Sequence, residues 1–308
     1  MPQLRKKIWS SAEPVSAAIL AQFRDFHPVL AQVLYNRGYT DAQAAQQFIA
    51  GELPDRDPFQ MMGMADAVAR LRQAIRAQEP IAVYGDFDTD GVTSTVLLVQ
   101  TFRALGGVVE PYIPNRVEDG YGLNSSALTQ LAQDGFKLIV TVDCGMRAVQ
   151  EVMDGQRFGL DIIITDHHSI GPELPPALAI INPKQEDCPY PEDMLAGVGV
   201  AYYLATALLQ AAEAAGEQVS LHQEDLLDLV AIGTVADLAP MDRLENRGLV
   251  IKGLEMINKA HRPGLYALIE ESGLKPEQTK IKASHIGFAL GPRINAAGRL
   301  QSASTAYE

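Results

Sequence analysis

The sequence predicts an α/β fold in which a mainly parallel β-sheet is flanked by helices, with further helical segments at both ends of the chain. Strand-like apolar runs alternate with helical patterns between residues 80 and 183, as in repeated β-α units. Three of these runs end in acidic or imidazole side chains, at Asp86, at Asp143 and at Asp166-His167-His168. Because parallel strands share one carboxyl edge, these side chains are expected to lie together there.

The first 79 residues are predicted to form a helical N-terminal cap. Apolar residues recur at helical intervals between Pro and Gly breaks, and strand-like runs are scarce. The predicted helices are 15–26, 28–36, 41–49 and 64–78.

A catalytic domain is predicted over residues 80–308, with its α/β core at 80–195. Short apolar runs without strict alternation are typical of strands that are covered by helices on both faces. The predicted strands are 81–85, 108–113, 137–142, 161–165 and 178–182, and the predicted helices are 92–105, 125–133 and 148–158.

The remainder of that domain, residues 196–308, is predicted to be helical and to end in a linker helix. The predicted helices are 200–215, 224–232, 247–257 and 263–271, followed by a Gly/Ala-rich turn that contains Asn295 and Gly298. Residues 305–308 have the Thr-x-x-Glu form of a capping box, which begins a helix. The chain is therefore expected to be the N-terminal portion of a longer protein.

Composition and charge limit the classes of function. The chain has 308 residues, of which 47% are apolar, and its basic N-terminus lacks the apolar segment of a signal peptide. We therefore expect a soluble, cytoplasmic monomer that does not contact a membrane. The net charge of −13 argues against binding of nucleic acid along a basic face, so a nucleic acid would be held at a local site.

The densest group of acids is Asp86, Asp88 and Asp90, followed by Gly91. The same spacing begins an EF-hand calcium loop, but Leu97 stands where that loop needs a bidentate Glu, and a strand precedes it instead of a helix. Capping of a helix that starts near Gly91 would account for one aspartate and not for three. On a strand and its exit loop the three carboxylates would point the same way, and cations are needed to neutralise them.

The acids and imidazoles together predict a metal site. Mixed carboxylate and imidazole ligands suit Mn²⁺ or Mg²⁺, whereas structural zinc is typical of a cysteine cluster. The two cysteines, Cys144 and Cys188, form no such cluster, and Cys144 is predicted to be a buried packing residue and not a nucleophile.

Four motifs resemble, in order, those of the DHH phosphoesterases. They are Asp86-Phe-Asp88-Thr-Asp90-Gly91, Val142-Asp143-Cys-Gly145, Thr165-Asp166-His167-His168 and Gly233-Thr-Val-Ala-Asp237. Other motifs resemble the family of single-strand-specific 5′→3′ DNA exonucleases within that superfamily. They are Pro114-Asn115-Arg116 with Asp119-Gly-Tyr-Gly122, Ala196-Gly-Val-Gly199, Ala236-Asp237-Leu-Ala-Pro240 and Gly291-Pro-Arg-Ile-Asn-Ala-Ala-Gly-Arg299.

The resemblance implies two bound ions, Mn²⁺ or Mg²⁺. Their implied ligands are Asp88, Asp90, Asp143, His167 and Asp237. Asp143 would bridge the ions, sharing one with Asp88 and the other with the remaining three ligands. Asp86 would lie behind the ligands or serve as an alternative one.

Further roles follow from the same resemblance. His168 would contact the scissile phosphate or the leaving oxygen, with a merely packed histidine as the alternative. Arg116, Arg293 and Asn295 would donate to substrate phosphates, with a surface salt bridge as the alternative for either arginine. Single-stranded DNA is the implied partner, with a single-strand-binding protein or a helicase as candidate protein partners.

The implied function is a 5′→3′ exonuclease of DNA repair and recombination, in which two metal ions activate the attacking water. Two alternatives stay open: a DHH phosphodiesterase that acts on short oligonucleotides or cyclic dinucleotides, and an inactive scaffold that binds a partner. Residues 114–116 and 291–299 favour the exonuclease, and every implied ligand is present. The family's second substrate domain would follow Glu308, and strand affinity is expected to depend on it.

Overall fold

Five strands form the sheet at the centre of the fold. In the computed structural model they are β1 (Ile81–Gly85), β2 (Val109–Tyr112), β3 (Leu138–Val142), β4 (Asp161–Thr165) and β5 (Ala179–Ile181). Their order is β2-β1-β3-β4-β5, and every neighbouring pair is parallel. The predicted α/β class with a mainly parallel sheet is confirmed. The structure describes residues 10–115, 122–259, 262–300 and 302–308.

The chain divides into two compact units, Met1–Glu52 and Leu53–Glu308. The helices of the smaller unit are α1 (Ala17–Gln22), α2 (Pro28–Asn36) and α3 (Ala42–Ala50). Helix α3 begins at the N-cap Asp41, whose carboxylate accepts from the amide of Ala44 at 2.8 Å. It ends at Gly51 in the left-handed region, where glycine has no steric penalty.

The larger unit places helices on both faces of the sheet. Its helices are α4 (Met64–Ala77), α5 (Thr89–Ala104), α6 (Ser125–Gln133), α7 (Val149–Arg157), α8 (Gly197–Ala214), α9 (Leu227–Ala236), α10 (Leu244–Ile257), α11 (Pro263–Glu271), α12 (Ala283–His285), α13 (Gly291–Leu300) and α14 (Ser304–Tyr307). Short 3₁₀ segments occur at Pro58–Gln60 and Gln223–Leu226, and a π-helical segment, Ile286–Leu290, joins α12 to α13. In the part of the chain that the structure describes, no helix is both long and apolar enough to cross a membrane.

Alternate strand residues belong to two separate cores. Val83 and Val140 pack with residues of α4, α5 and α8, whereas Tyr84, Ile139 and Ile164 pack with residues of α6 and α7. Burial on both faces explains why these strands are continuous apolar runs.

The division into units falls at 52/53, and not at the predicted domain boundary of 79/80. The difference arises from α4, which buries its apolar stripe, including Met64, Leu71 and Ala74, in the same core as the strands. Helix α4 is therefore part of the larger unit.

Two local predictions at the C-terminal end are wrong. The predicted Gly/Ala-rich turn is the helix α13, because alanine and arginine favour the helix and Pro292 occupies its first turn, where proline is tolerated. The predicted capping box is not formed. The amide of Thr305 already donates to the carbonyl of Ser302, so Thr305 lies inside α14, whose N-cap is Ala303.

Candidate metal centre

The parallel register brings three aspartates to one row at the edge of the sheet. Gly85 of β1 pairs with Val142 of β3, and Val142 pairs with Thr165 of β4. The next residue of each strand is an aspartate: Asp86, Asp143 and Asp166. The direction of the strand order changes between β1 and β3, and open α/β sheets bind ligands in the crevice at this point.

Asp88 and Asp90 reach this edge from the N-cap and the first turn of a helix, and not from a strand and its exit loop as predicted. Strand β1 ends at Gly85, and Asp88 is the N-cap of α5, where its Oδ1 accepts from the amide of Gly91 at 3.0 Å. Asp90 lies in the first turn, where the helix dipole favours a negative charge. Helix capping therefore accounts for the position of Asp88 and leaves its second carboxylate oxygen for another partner.

The first turn of α8 holds Asp90 in place. The amides of Gly197 and Val198 donate to its two carboxylate oxygens at 2.7 and 2.8 Å. A side chain on Gly233 would put a Cβ only 2.7 Å from Oδ1 of Asp90, so glycine is required there. Burial raises the pKa of Asp90 well above its usual value, and the nearby Asp237 raises it further.

Asp143 and His167 form a buried pair in the site. Asp143 has a φ of +59°, which is uncommon for a residue other than glycine, and its amide donates to the carbonyl of Thr165 at 3.0 Å. Its Oδ1 lies 3.0 Å from Nε2 of His167. Neither of these buried atoms has a hydrogen-bond partner among the described residues.

Electrostatics disfavour charge on this pair when no cation is bound. Burial raises the pKa of Asp143 well above its usual value, and Asp90 adds to this effect. Burial lowers the pKa of His167 to about 4, so the imidazole is neutral at pH 7. A neutral imidazole and an unsatisfied carboxylate oxygen are the donor atoms that a divalent cation needs.

Asp237 completes the cluster from the C-cap of α9. Its Oδ2 lies 3.9 Å from Nδ1 of His167, and burial together with Asp88 raises its pKa to about 6. Three overlapping groups offer ligand atoms within 4.8 Å of one another: Asp86, Asp88 and Asp143; Asp90, His167 and Asp237; and Asp143, His167 and His168. The structure thus brings together all seven described acids and imidazoles that the sequence nominated.

Asp166 is a residue of this site for which the sequence predicted no role. Its Oδ1 lies 2.7 Å from Nδ1 of His168 and accepts from the amides of both histidines, while its Oδ2 accepts from the amide of Met146 at 2.9 Å. The hydrogen bond that Asp166 accepts from the imidazole raises the pKa of His168, whose side chain is 45% exposed. The sequence could have nominated Asp166, because it is the first residue of the Asp-His-His motif.

The residues that were predicted to contact phosphates do not share one environment. Arg293 is exposed on α13, and its Nη1 donates to the carbonyl of Ala289 at 2.9 Å. Asn295 lies on α13 and contacts the start of α5, where its Oδ1 accepts from the amide of Thr89 at 2.8 Å. Arg116 lies outside the described residues.

A cleft of about 340 Å³ opens beside His168. Its lining includes Leu123, Met146, Arg147 and Ser169. A larger cavity of about 870 Å³ lies around the C-terminal end of α8 and the residues that follow it, and none of the candidate ligands lines it. Cys144 is buried, and its burial raises the pKa of the thiol well above its usual value, which disfavours a nucleophilic role.

Comparison with known proteins relates this site to one family. The family described as "DHH family, N-terminal domain" matches residues 80–234. The single-stranded-DNA-specific exonuclease RecJ of Bacillus subtilis (strain 168) is 43% identical over 304 residues, which are 98% of this chain and 37% of that protein. The chain therefore spans little more than a third of the length of this curated relative.

Solved structures agree with this relation. The crystal structure of RecJ in complex with Mn²⁺ from Thermus thermophilus matches with a TM-score of 0.75 and 32% identity, over 94% of this chain and 40% of that one. A second structure of RecJ from the same organism, in complex with Mg²⁺, matches with a TM-score of 0.65 and 30% identity, over 94% and 37%.

Proposed function

Because the chain belongs to the DHH family, we propose that it is the catalytic part of a metal-dependent exonuclease that hydrolyses single-stranded DNA from the 5′ end. The observation that carries the proposal is the pair of buried atoms, Asp143 Oδ1 and His167 Nε2, that lie 3.0 Å apart without hydrogen-bond partners in the described chain. Buried polar atoms are rarely left unpaired, and a cation between carboxylates would satisfy both.

We propose that the centre takes two Mn²⁺ or Mg²⁺ ions. Asp88 and Asp143 would hold one of them, with Asp86 beside them. The other would be held by Asp143 and by the group of Asp90, His167 and Asp237. The donor set is rich in oxygen with one imidazole, which suits these two metals. When bound, the ions neutralise charge at the phosphate and activate the attacking water.

The surrounding residues prepare the site for an anionic substrate. The amides of Gly197 and Val198 fix Asp90, so this ligand needs no rearrangement when a cation arrives. Asp166 orients His168 and favours its protonated form. A charged imidazole is suited to donate to a phosphate oxygen or to protonate the leaving oxygen.

The substrate would approach along the exposed side of the centre. His168 is partly exposed, and the cleft beside it is of a size that accepts a nucleotide. Arg293 offers an exposed guanidinium for a backbone phosphate, and we propose the same role for Arg116. A cytoplasmic location, a monomeric state, a role in DNA repair and recombination, and recruitment by a single-strand-binding protein or a helicase stay predictions.

A nuclease assay tests the proposal. Single-stranded and double-stranded oligonucleotides, labelled at either end, and a cyclic dinucleotide are incubated with Mn²⁺, Mg²⁺ or a chelator. We expect metal-dependent release of mononucleotides from the 5′ end of the single strand. Asp143→Asn should abolish it, whereas the matched control Asp134→Asn, on the end of α6, should not. Hydrolysis of the cyclic dinucleotide alone would favour the alternative phosphodiesterase, and Mn²⁺ binding without any hydrolysis would favour the scaffold.

A further inference from the structure

Helix α13 contacts the first turn of α5 through the side chain of Asn295. Its Oδ1 accepts from the backbone amide of Thr89 at 2.8 Å and lies 2.8 Å from the Thr89 hydroxyl. The same hydroxyl lies 3.0 Å from the carbonyl of Gly291, so its single proton can be donated to either acceptor on α13. These contacts join residues that are 202 and 206 positions apart in the sequence.

The hydrogen bond determines which way the Asn295 amide faces. A backbone N–H can only donate, so the oxygen of the side chain must face Thr89 and the nitrogen must face away. Thr89 is the first residue of α5, and its amide is one of the four that a helix leaves without an intrahelical partner. Asn295 therefore acts as a cap that is supplied from a distant helix.

This cap matters because the local N-cap of α5 is itself a candidate metal ligand. Asp88 accepts from the amide of Gly91 through Oδ1, and a cation at its second oxygen would draw on the same carboxylate. The second bond, from Thr89 to Asn295, does not involve a ligand. It can hold the start of α5 in place while Asp88 binds a cation.

Helix α13 also packs directly against two of the segments that carry candidate ligands. A Cβ on Gly298 would lie 2.9 Å from the carbonyl of Phe87, between Asp86 and Asp88. A Cβ on Gly291 would lie 3.3 Å from the Cβ of Ala236, the residue before Asp237. One rigid helix thus lies between the acids at the start of α5 and the acid at the end of α9.

We propose that Asn295 and Thr89 are a positioning pair, which sets Asp88 and Asp90 at the correct distance from Asp237 to share a metal centre. The inference rests on the metal centre of the proposed function. It assigns Asn295 a role that differs from the phosphate contact predicted from the sequence. A positioning role acts on metal affinity, whereas a phosphate contact acts on the binding of the strand.

Mn²⁺ titration of chelator-treated protein tests the pair, with free Mn²⁺ followed by electron paramagnetic resonance. We expect Asn295→Ala to weaken Mn²⁺ binding by about 10- to 100-fold, the range found when a residue that orients metal ligands is lost. Thr89→Val should weaken Mn²⁺ binding less, because the backbone hydrogen bond remains. Thr89→Ser, which keeps the hydroxyl, should bind Mn²⁺ as the wild type does. The KM for a single strand, measured at saturating Mn²⁺, should stay within twofold of the wild-type value.

Asn258→Ala is the matched control. Asn258 also uses its Oδ1 to accept from a distant amide, that of Ile281 at 2.7 Å, but it lies on the C-cap of α10, which carries no candidate ligand. It should keep the wild-type Mn²⁺ affinity. Equal weakening in Asn258→Ala would show a general loss of stability, and would overturn the proposal.

Two other results separate the possible failures. A raised KM with unchanged Mn²⁺ affinity in Asn295→Ala would overturn the positioning role in favour of the phosphate contact. Hydrogen exchange of the Thr89 amide in metal-free protein needs no metal, and it should accelerate in Asn295→Ala. If the wild-type protein binds no Mn²⁺, the proposed function fails. If the Thr89 amide is unprotected in the wild type, the pair itself fails.

Discussion

Gly197 is a position at which one added methyl group should disturb the candidate metal centre directly. It is the first residue of α8, and its amide donates to Asp90 Oδ2 at 2.7 Å. A Cβ at this position would lie 2.8 Å from the Cβ of Asp143 and 2.9 Å from its Oδ1. Gly197→Ala therefore acts both on Asp143, the proposed bridging ligand, and on Asp90.

The size of the effect follows from the space available. The closest contact is about 0.6 Å short of an ordinary carbon–carbon contact, which begins near 3.4 Å. Asp143 cannot easily move away, because it is buried, has a left-handed backbone and is tied to the carbonyl of Thr165. Overpacking of this kind costs about 1–3 kcal/mol of stability, and a misplacement near 1 Å lowers turnover by about 100-fold.

Thermal melting, Mn²⁺ titration and initial rates on a single-stranded oligonucleotide measure these effects. Gly264→Ala is the matched control, because Gly264 also lies in the first turn of a helix, α11, and an added Cβ would have no neighbour within 4 Å. It should stabilise the protein by about 0.4–1 kcal/mol and leave Mn²⁺ affinity and rate unchanged. Wild-type Mn²⁺ affinity and turnover in Gly197→Ala would refute this reasoning.

Three further outcomes are expected. Asp143→Ala should remove hydrolysis and weaken the binding of both metal ions; activity above about a tenth of wild type in a rate assay would contradict a bridging role. His167→Ala should lower the Mn²⁺ stoichiometry measured by calorimetry, whereas His168→Ala should keep the metal and lose turnover, so equal metal loss in both would show that their roles are assigned wrongly. In metal-free protein the pKa of Asp237 is raised from 3.8 to about 6, so its contribution to stability is complete below pH 3.8 and is lost as the pH rises through 6. Between pH 4 and 7, the free energy of unfolding of chelator-treated wild type should fall more steeply with pH than that of Asp237→Asn. Chemical denaturation measures both, and an equal pH dependence of the two proteins would exclude the effect.

Much of the fold could be predicted because the deciding signals are local. Strands β1 and β4 and helices α2, α6 and α11 have the predicted bounds, since each is an apolar pattern interrupted by a turn or capping residue. The side chains of the metal centre could be nominated for the same reason. They follow apolar strands or lie in short motifs, and parallel pairing then brings Asp86, Asp143 and Asp166 into one row.

The errors share a physical cause. The approach of Asp88 and Asp90 was attributed to the period of a strand, but a helix begins at Thr89, and its cap comes partly from Asn295 on α13. Residues 291–299 were expected to form a turn because their small residues were interpreted without their packing partners. Small residues in a sequence are compatible both with a turn and with a close contact between helices. Only the segments that pack against them distinguish the two.

The sequence by itself determined the class of fold, the edge of the sheet that carries the site and the ligand types that select Mn²⁺ or Mg²⁺. The tertiary structure decided which atoms are left without partners, which carboxylates are buried, and that Asp166 orients His168. It also decided that Oδ1 of Asn295 faces Thr89. Hydrogen bonding and burial depend on atoms that are distant in sequence, and chain folding alone brings them within reach of one another.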